Sequence, residues 1–119
     1  MEKINLYKKL NLFSDHFNPK IIAELNSQQI KLVKFKGDFV WHSHANEDEM
    51  FYVLKGSFFM DLRDRTIELN EGEMIVIPKG IEHKPRAESE VSIMLIEPAG
   101  TINTGNTENE FTRKDLKYI

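Results

Sequence analysis

The feature that most limits what this chain can fold into is the run of short, strongly β-prone segments between Phe39 and Glu97. FVWHSH, EMFYVLK, SFFMDLR, TIEL, EMIVIP and VSIMLIE are each four to seven residues long and rich in β-branched and aromatic types. Lys55-Gly56, Arg63-Asp64-Arg65, Asn70-Glu71-Gly72 and Lys79-Gly80 separate them with turn-forming residues. Many short strands at near-regular spacing point to an antiparallel sandwich or barrel, not to a parallel sheet with crossover helices. Pro78 cannot donate to a ladder and is expected to close its strand. Among the apolar positions, Phe51, Val53, Phe58, Met60, Ile75, Ile77, Met94 and Ile96 are assigned to the interior.

The flanks are read in the same way. Ile4, Leu6, Tyr7, Leu10 and Phe13 follow nearly helical spacing, so residues 4–13 form a short helix or an irregular arm. A loop at 14–19 follows, because Asn18 precedes Pro19. KIIAEL and QQIKLVKF are expected to pair as strands across an Asn26-Ser27 turn, with Ile30 and Leu32 alternating with charged neighbours. After Pro98-Ala99-Gly100 the tail becomes polar and rich in Asn and Thr, and is expected to be an arm with a short helix near Arg113–Tyr118.

At 119 residues one domain is expected, with a core barrel over 20–100, an N-terminal arm over 1–19 and a tail over 101–119. The 16 basic and 19 acidic residues are dispersed, which leaves no clustered basic face for nucleic acid. The absence of cysteine removes disulfides and thiolate metal sites. No apolar segment of signal-peptide or membrane-span character is present, so a cytoplasmic location without membrane contact is expected.

Three of the four histidines fall in the frame from Gly37 to His83. His42 and His44 are two apart, and on an extended backbone they project to one face. If the chain turns at Ala45-Asn46, Glu49 on the next strand joins that face. Slipping the turn by one residue would present Glu47 or Asp48 instead. His83 arrives from a separate strand behind the stiff Pro78-Lys79-Gly80 corner. Three imidazoles and one carboxylate suit a first-row divalent ion, with iron, manganese, nickel, zinc and copper all compatible. His16 lies in a loop-like stretch and is read as a surface residue. Trp41 and Tyr52 face away from the ligands by alternation, and Lys34, Lys36, Lys84 and Arg86 are read as solvated charges.

The segments G-x4-HxH-x4-E-x6-G and G-x5-PxG-x2-H closely resemble the two signature motifs of the cupin superfamily. The resemblance covers residues 20 to 100 and implies a double-stranded β-helix jelly roll, with His42, His44, Glu49 and His83 as metal ligands. Two departures stand out. The first Gly-to-His gap is one residue shorter than usual. Ala87 stands where an Asn commonly follows the second motif, so no role of that Asn is carried over.

The fold does not fix the chemistry. The first reading is a metal-dependent enzyme of dioxygenase or isomerase type acting on a small molecule. The second is a non-catalytic binding or sensing module, in which the metal anchors a carboxylate or sugar. The third is a structural metal in an interaction protein. A homodimer is expected, because jelly-roll edge strands need covering.

Overall fold

A computed structural model describes residues 1–119. One short helix, α1 (Leu6–Leu10), precedes eight strands: β1 (Lys20–Leu25), β2 (Gln28–Asp38), β3 (Glu49–Lys55), β4 (Ser57–Leu62), β5 (Thr66–Asn70), β6 (Met74–Ile77), β7 (His83–Pro98) and β8 (Lys117–Tyr118). The architecture is a jelly roll built around two long strands. β2 and β7 pair antiparallel from Gln28↔Pro98 to Asp38↔Arg86. The other edge of β7 is shared: its first residues pair with β4 (Leu62↔His83 to Phe59↔Arg86) and its later ones with β3 (Lys55↔Ser92 to Met50↔Ile96). Each half of β7 therefore belongs to a different face of the sandwich. β5 adds to β4, and β6 adds to β3. β5 and β6 do not pair with each other, so the sheet is not closed. No helix is long and apolar enough to cross a membrane.

β2 turns from one face of the sandwich to the other through a register shift between Phe35 and Gly37. Gly37 takes a φ of +87° there, a conformation open to glycine at little cost. The residue is the last but one of β2.

Two apolar clusters flank the β2–β7 pair. The inner one fills the sandwich with Val33, Phe35, Phe51, Val53, Phe58, Met60, Leu69, Ile77, Ala87, Val91, Ile93 and Leu95. Burial of each large side chain contributes roughly 1.5–3 kcal/mol. The outer cluster of Leu10, Ile22, Leu32 and Leu54 lies on the opposite face, with Leu6, Phe13, Ile30, Tyr52, Met94 and Ile119 packed against it. Its cover is α1, capped at Asn5, whose side chain accepts from Lys8 N at 3.0 Å.

This two-sided burial corrects several expectations. Met94 and Ile96 do not point inward; Val91, Ile93 and Leu95 do. Ile30 and Leu32 likewise belong to the outer side, and it is Lys31 that shares the inner face with Val33 and Phe35. Both faces of these strands are apolar, so the alternation had no readable phase. FVWHSH is not a strand: its only ladder element is an isolated bridge between His42 and His83. β7 runs through Pro85 back to His83, far longer than VSIMLIE. The tail's last element is also no helix. Lys117–Tyr118 pairs parallel with Lys20–Ile21 of β1.

Candidate metal centre

The three histidines and Glu49 are brought together at one end of the sandwich by four backbone devices. His42 and His83 exchange both amide–carbonyl bonds (3.1 and 2.9 Å), which seats the HxH segment beside the start of β7. Gly80 N donates to His44 O at 2.8 Å, tying the Pro-x-Gly corner to the same segment. Asp48 accepts from Lys79 N at 2.8 Å, and Glu47 accepts from Asn46 N at 3.1 Å. Both acids are thereby occupied outside the cluster, and Glu49, at the head of β3, is the carboxylate that enters it. From the other side the tail closes on Ser43. Asn106 N donates to Ser43 O (3.0 Å), and Ser43 N donates to Asn106 Oδ1 (2.9 Å).

One ligating atom from each of His42, His44, Glu49 and His83 lies within 4.8 Å of the others, and all four side chains are buried. Their orientation is fixed by neighbouring carbonyls. His42 Nδ1 donates to Val40 O (2.9 Å) and His83 Nδ1 to Ile81 O (2.8 Å). Each ring therefore presents Nε2 inward as a lone-pair donor. His83 Nε2 stands 3.3 Å and His44 Nε2 3.4 Å from Glu49 Oε1. His44 Nε2 is buried without a well-formed hydrogen bond. A buried polar atom of that kind is costly unless something else satisfies it. A divalent cation accepting all three Nε2 atoms and a Glu49 oxygen fits this donor set.

The protonation states suit such an ion. Burial, and then the proximity of His83, pushes His42 down to about 4, so the imidazole is neutral. Burial opposes ionisation of Glu49, but the neighbouring Glu97, His44 and His83 outweigh it and hold the carboxyl well below the usual range. Glu97 is the reverse. Burial, reinforced by the Glu49 charge, lifts it well above the usual range, against the pull of Lys31.

Lys31 and Glu97 escaped the sequence reading. They form a buried pair (Nζ to Oε1, 2.7 Å) with 1% and 2% of their side chains exposed. Glu97 Oε2 has no hydrogen-bond partner. The signal was present in sequence as a charge in phase with Val33 and Phe35, and another in phase with Ile93 and Leu95. The remaining assignments divide: Arg86 and Lys84 are not free solvated charges but pair with Asp61 at 2.8 Å and Asp38 at 3.1 Å. His16 pairs with Glu90 at 2.7 Å at the surface. Tyr52 packs in the outer cluster, and the Arg63 guanidinium covers Trp41 at 3.8 Å. Lys34 is not a free solvated charge: its ammonium donates to Leu10 O and Phe13 O, both at 2.8 Å.

A cavity of about 50 Å³ opens beside His42 and Glu49. Phe17, Phe35, Phe39 and Phe51 line it, with Val33, Ile93 and Leu95. An ion at the cluster would thus have one side against an apolar chamber.

A jelly roll with an inward HxH–Glu–His cluster defines a class of protein, and the family model of the cupin domain matches residues 31–97. The chain belongs to the cupin family. Among solved structures, a cupin-2 domain protein from Shewanella frigidimarina is 54% identical with a TM-score of 0.79, covering 80% of this chain and 93% of that one. The uncharacterized protein YdbB of Bacillus subtilis is 37% identical over 67 residues, which are 56% of this chain and 59% of YdbB. Acireductone dioxygenase 4 of Oryza sativa is 38% identical over 68 residues, 53% of this chain and 36% of that enzyme. The chain thus spans little more than half of the first relative and about a third of the second.

Proposed function

We propose that this protein is a metal-dependent cupin enzyme of dioxygenase type, with His42, His44, Glu49 and His83 holding one divalent ion. The convergence of four buried ligating atoms within 4.8 Å carries the reading. The similarity to a protein named as an acireductone dioxygenase favours oxygen chemistry over isomerisation. A divalent ion bound there supplies Lewis acidity and, if redox-active, a place for oxygen to meet an electron-rich substrate. The chain does the rest. Val40 O and Ile81 O hold the two imidazoles with Nε2 forward. Glu49 contributes the negative charge, and the neighbouring Glu97 carboxyl, lifted by burial, resists adding a second. The phenylalanine-lined chamber excludes water from the substrate side.

The test is oxygen consumption by the purified, iron-loaded protein on addition of an acireductone, with nickel-loaded protein alongside. Uptake stoichiometric with product, and abolished in a folded His44→Ala variant, is the expected result. Saturable binding with no oxygen consumed in either form would replace the enzyme by a binding module.

A further inference from the structure

This inference rests on the reading of the cluster as a metal centre and names what the chamber beside it accepts. We propose that the ligand is a small, mainly apolar, monoanionic chelator held by the metal alone, and that Phe17 and Phe111 set its size.

The wall of the chamber is almost wholly apolar outside the cluster. Apart from His42 and Glu49, its single polar member is Asn103. That side chain is already engaged: its Oδ1 accepts from Arg113 N and its Nδ2 donates to Phe111 O, both at 2.8 Å. No lysine or arginine lines the space, and the inward-facing Lys31 is bound to Glu97. A sugar would bring several hydroxyls where only one amide, already engaged, could answer, and burying the rest unpaired is costly. Charge narrows the class further. A divalent ion and the Glu49 carboxylate leave one net positive charge, which a monoanion neutralises. A dianion would leave an uncompensated negative charge in an apolar chamber.

Size is set by the aromatic wall. The volume of about 50 Å³ corresponds to roughly three water-sized spheres. The half-buried rings of Phe17 and Phe39 belong to the wall and stack 5.2 Å apart, and Phe111, outside the lining, packs against Phe17 at 4.7 Å and so backs it. Phe17 holds a φ of +54°, rare and strained for a bulky residue. Its N–H donates to Lys34 O at 2.9 Å, which keeps it there. The strained residue is one of those whose rings wall the chamber. Phe111 arrives from the tail, its carbonyl held by Asn103.

Calorimetric titration of cobalt-loaded protein with acetohydroxamate, benzohydroxamate and oxalate tests this, each affinity being corrected for that of the free ion. The wild type is expected to bind acetohydroxamate at least about tenfold (1.4 kcal/mol) more tightly than oxalate, and benzohydroxamate less well than acetohydroxamate. Phe17→Gly, which suits the positive φ, is expected to raise the benzohydroxamate-to-acetohydroxamate ratio by about tenfold with cobalt content unchanged. Phe111→Ala should move the ratio in the same direction. Oxalate binding as tightly as acetohydroxamate, removal of cobalt by acetohydroxamate instead of a ternary complex, or an unmoved ratio in the folded variants would overturn the proposal. Should neither variant fold, the wild-type comparison decides it. Failure of the wild type to take up cobalt at all would instead sink the metal reading beneath it.

Discussion

At the scale of single residues, the candidate centre is a set of buried groups whose protonation is imposed by their surroundings. His42 is the clearest case. Its imidazole is pushed from 6.5 to about 4 by burial and by His83, so on acidification the unfolded chain takes up that proton first. The contribution of this group is whole above pH 6.5 and is lost as the pH falls towards 4, amounting to roughly 3 kcal/mol. Urea denaturation of the metal-free protein should give a lower midpoint at pH 4.5 than at pH 7, and His42→Gln should shrink the difference. Equal pH dependence in both proteins would contradict the assignment. The Lys31–Glu97 pair is equally exposed to test. Lys31→Met leaves the buried Glu97 Oε1 without its hydrogen-bond donor and should cost about 1–3 kcal/mol, whereas Lys31→Met with Glu97→Met should recover most of it. Additive losses in the two single variants and the double would show that the two side chains act independently. The four histidine and glutamate positions were legible in sequence because motif spacing fixes them. Lys31 and Glu97 were not, because a charge inside an apolar strand reads as its solvent face until the opposite side is known to be buried.

At the scale of elements, the tail from Gly100 to Leu116 carries more of the site than its composition suggests. Asn106 brackets Ser43 with two hydrogen bonds, and Thr107 Oγ1 donates to Trp41 O at 3.2 Å. Gly105 is the point of closest approach. Its φ is +56°, and a Cβ there would collide with Ser43 O and stand 3.2 Å from His44 Nδ1. Gly105→Ala should therefore destabilise the protein by about 1–3 kcal/mol and weaken metal binding, because it pushes the tail off the HxH segment. Thermal unfolding with and without added metal measures both, and an unchanged melting temperature would refute the contact. The strands from β3 to β6 were readable from turn residues alone. The HxH segment and the tail were not, since both are held by side-chain and loop hydrogen bonds between residues about sixty apart, and local propensity carries no record of those.

At the scale of the whole molecule, β2 and β7 form a spine with a core on each side. The inner core is shaped so that one end is left for the cluster and its chamber, and the segments before β1 and after β7 both bend to that end, where Phe17 meets Phe111. The jelly roll was legible from strand number and motif spacing. The second, outer core was not, because helix α1 is only five residues long and its role lies in what it covers. The account depends on one ion being shared by His42, His44, Glu49 and His83, and the most direct measurement is calorimetric titration of the metal-free protein with Co²⁺, beside a His83→Ala variant shown by circular dichroism to be folded. A single ion per chain in the wild type, with binding lost or weakened beyond the 10–100-fold typical of a supporting residue in the variant, is the predicted result. Undiminished binding by His83→Ala, or no binding by the wild type, would contradict it.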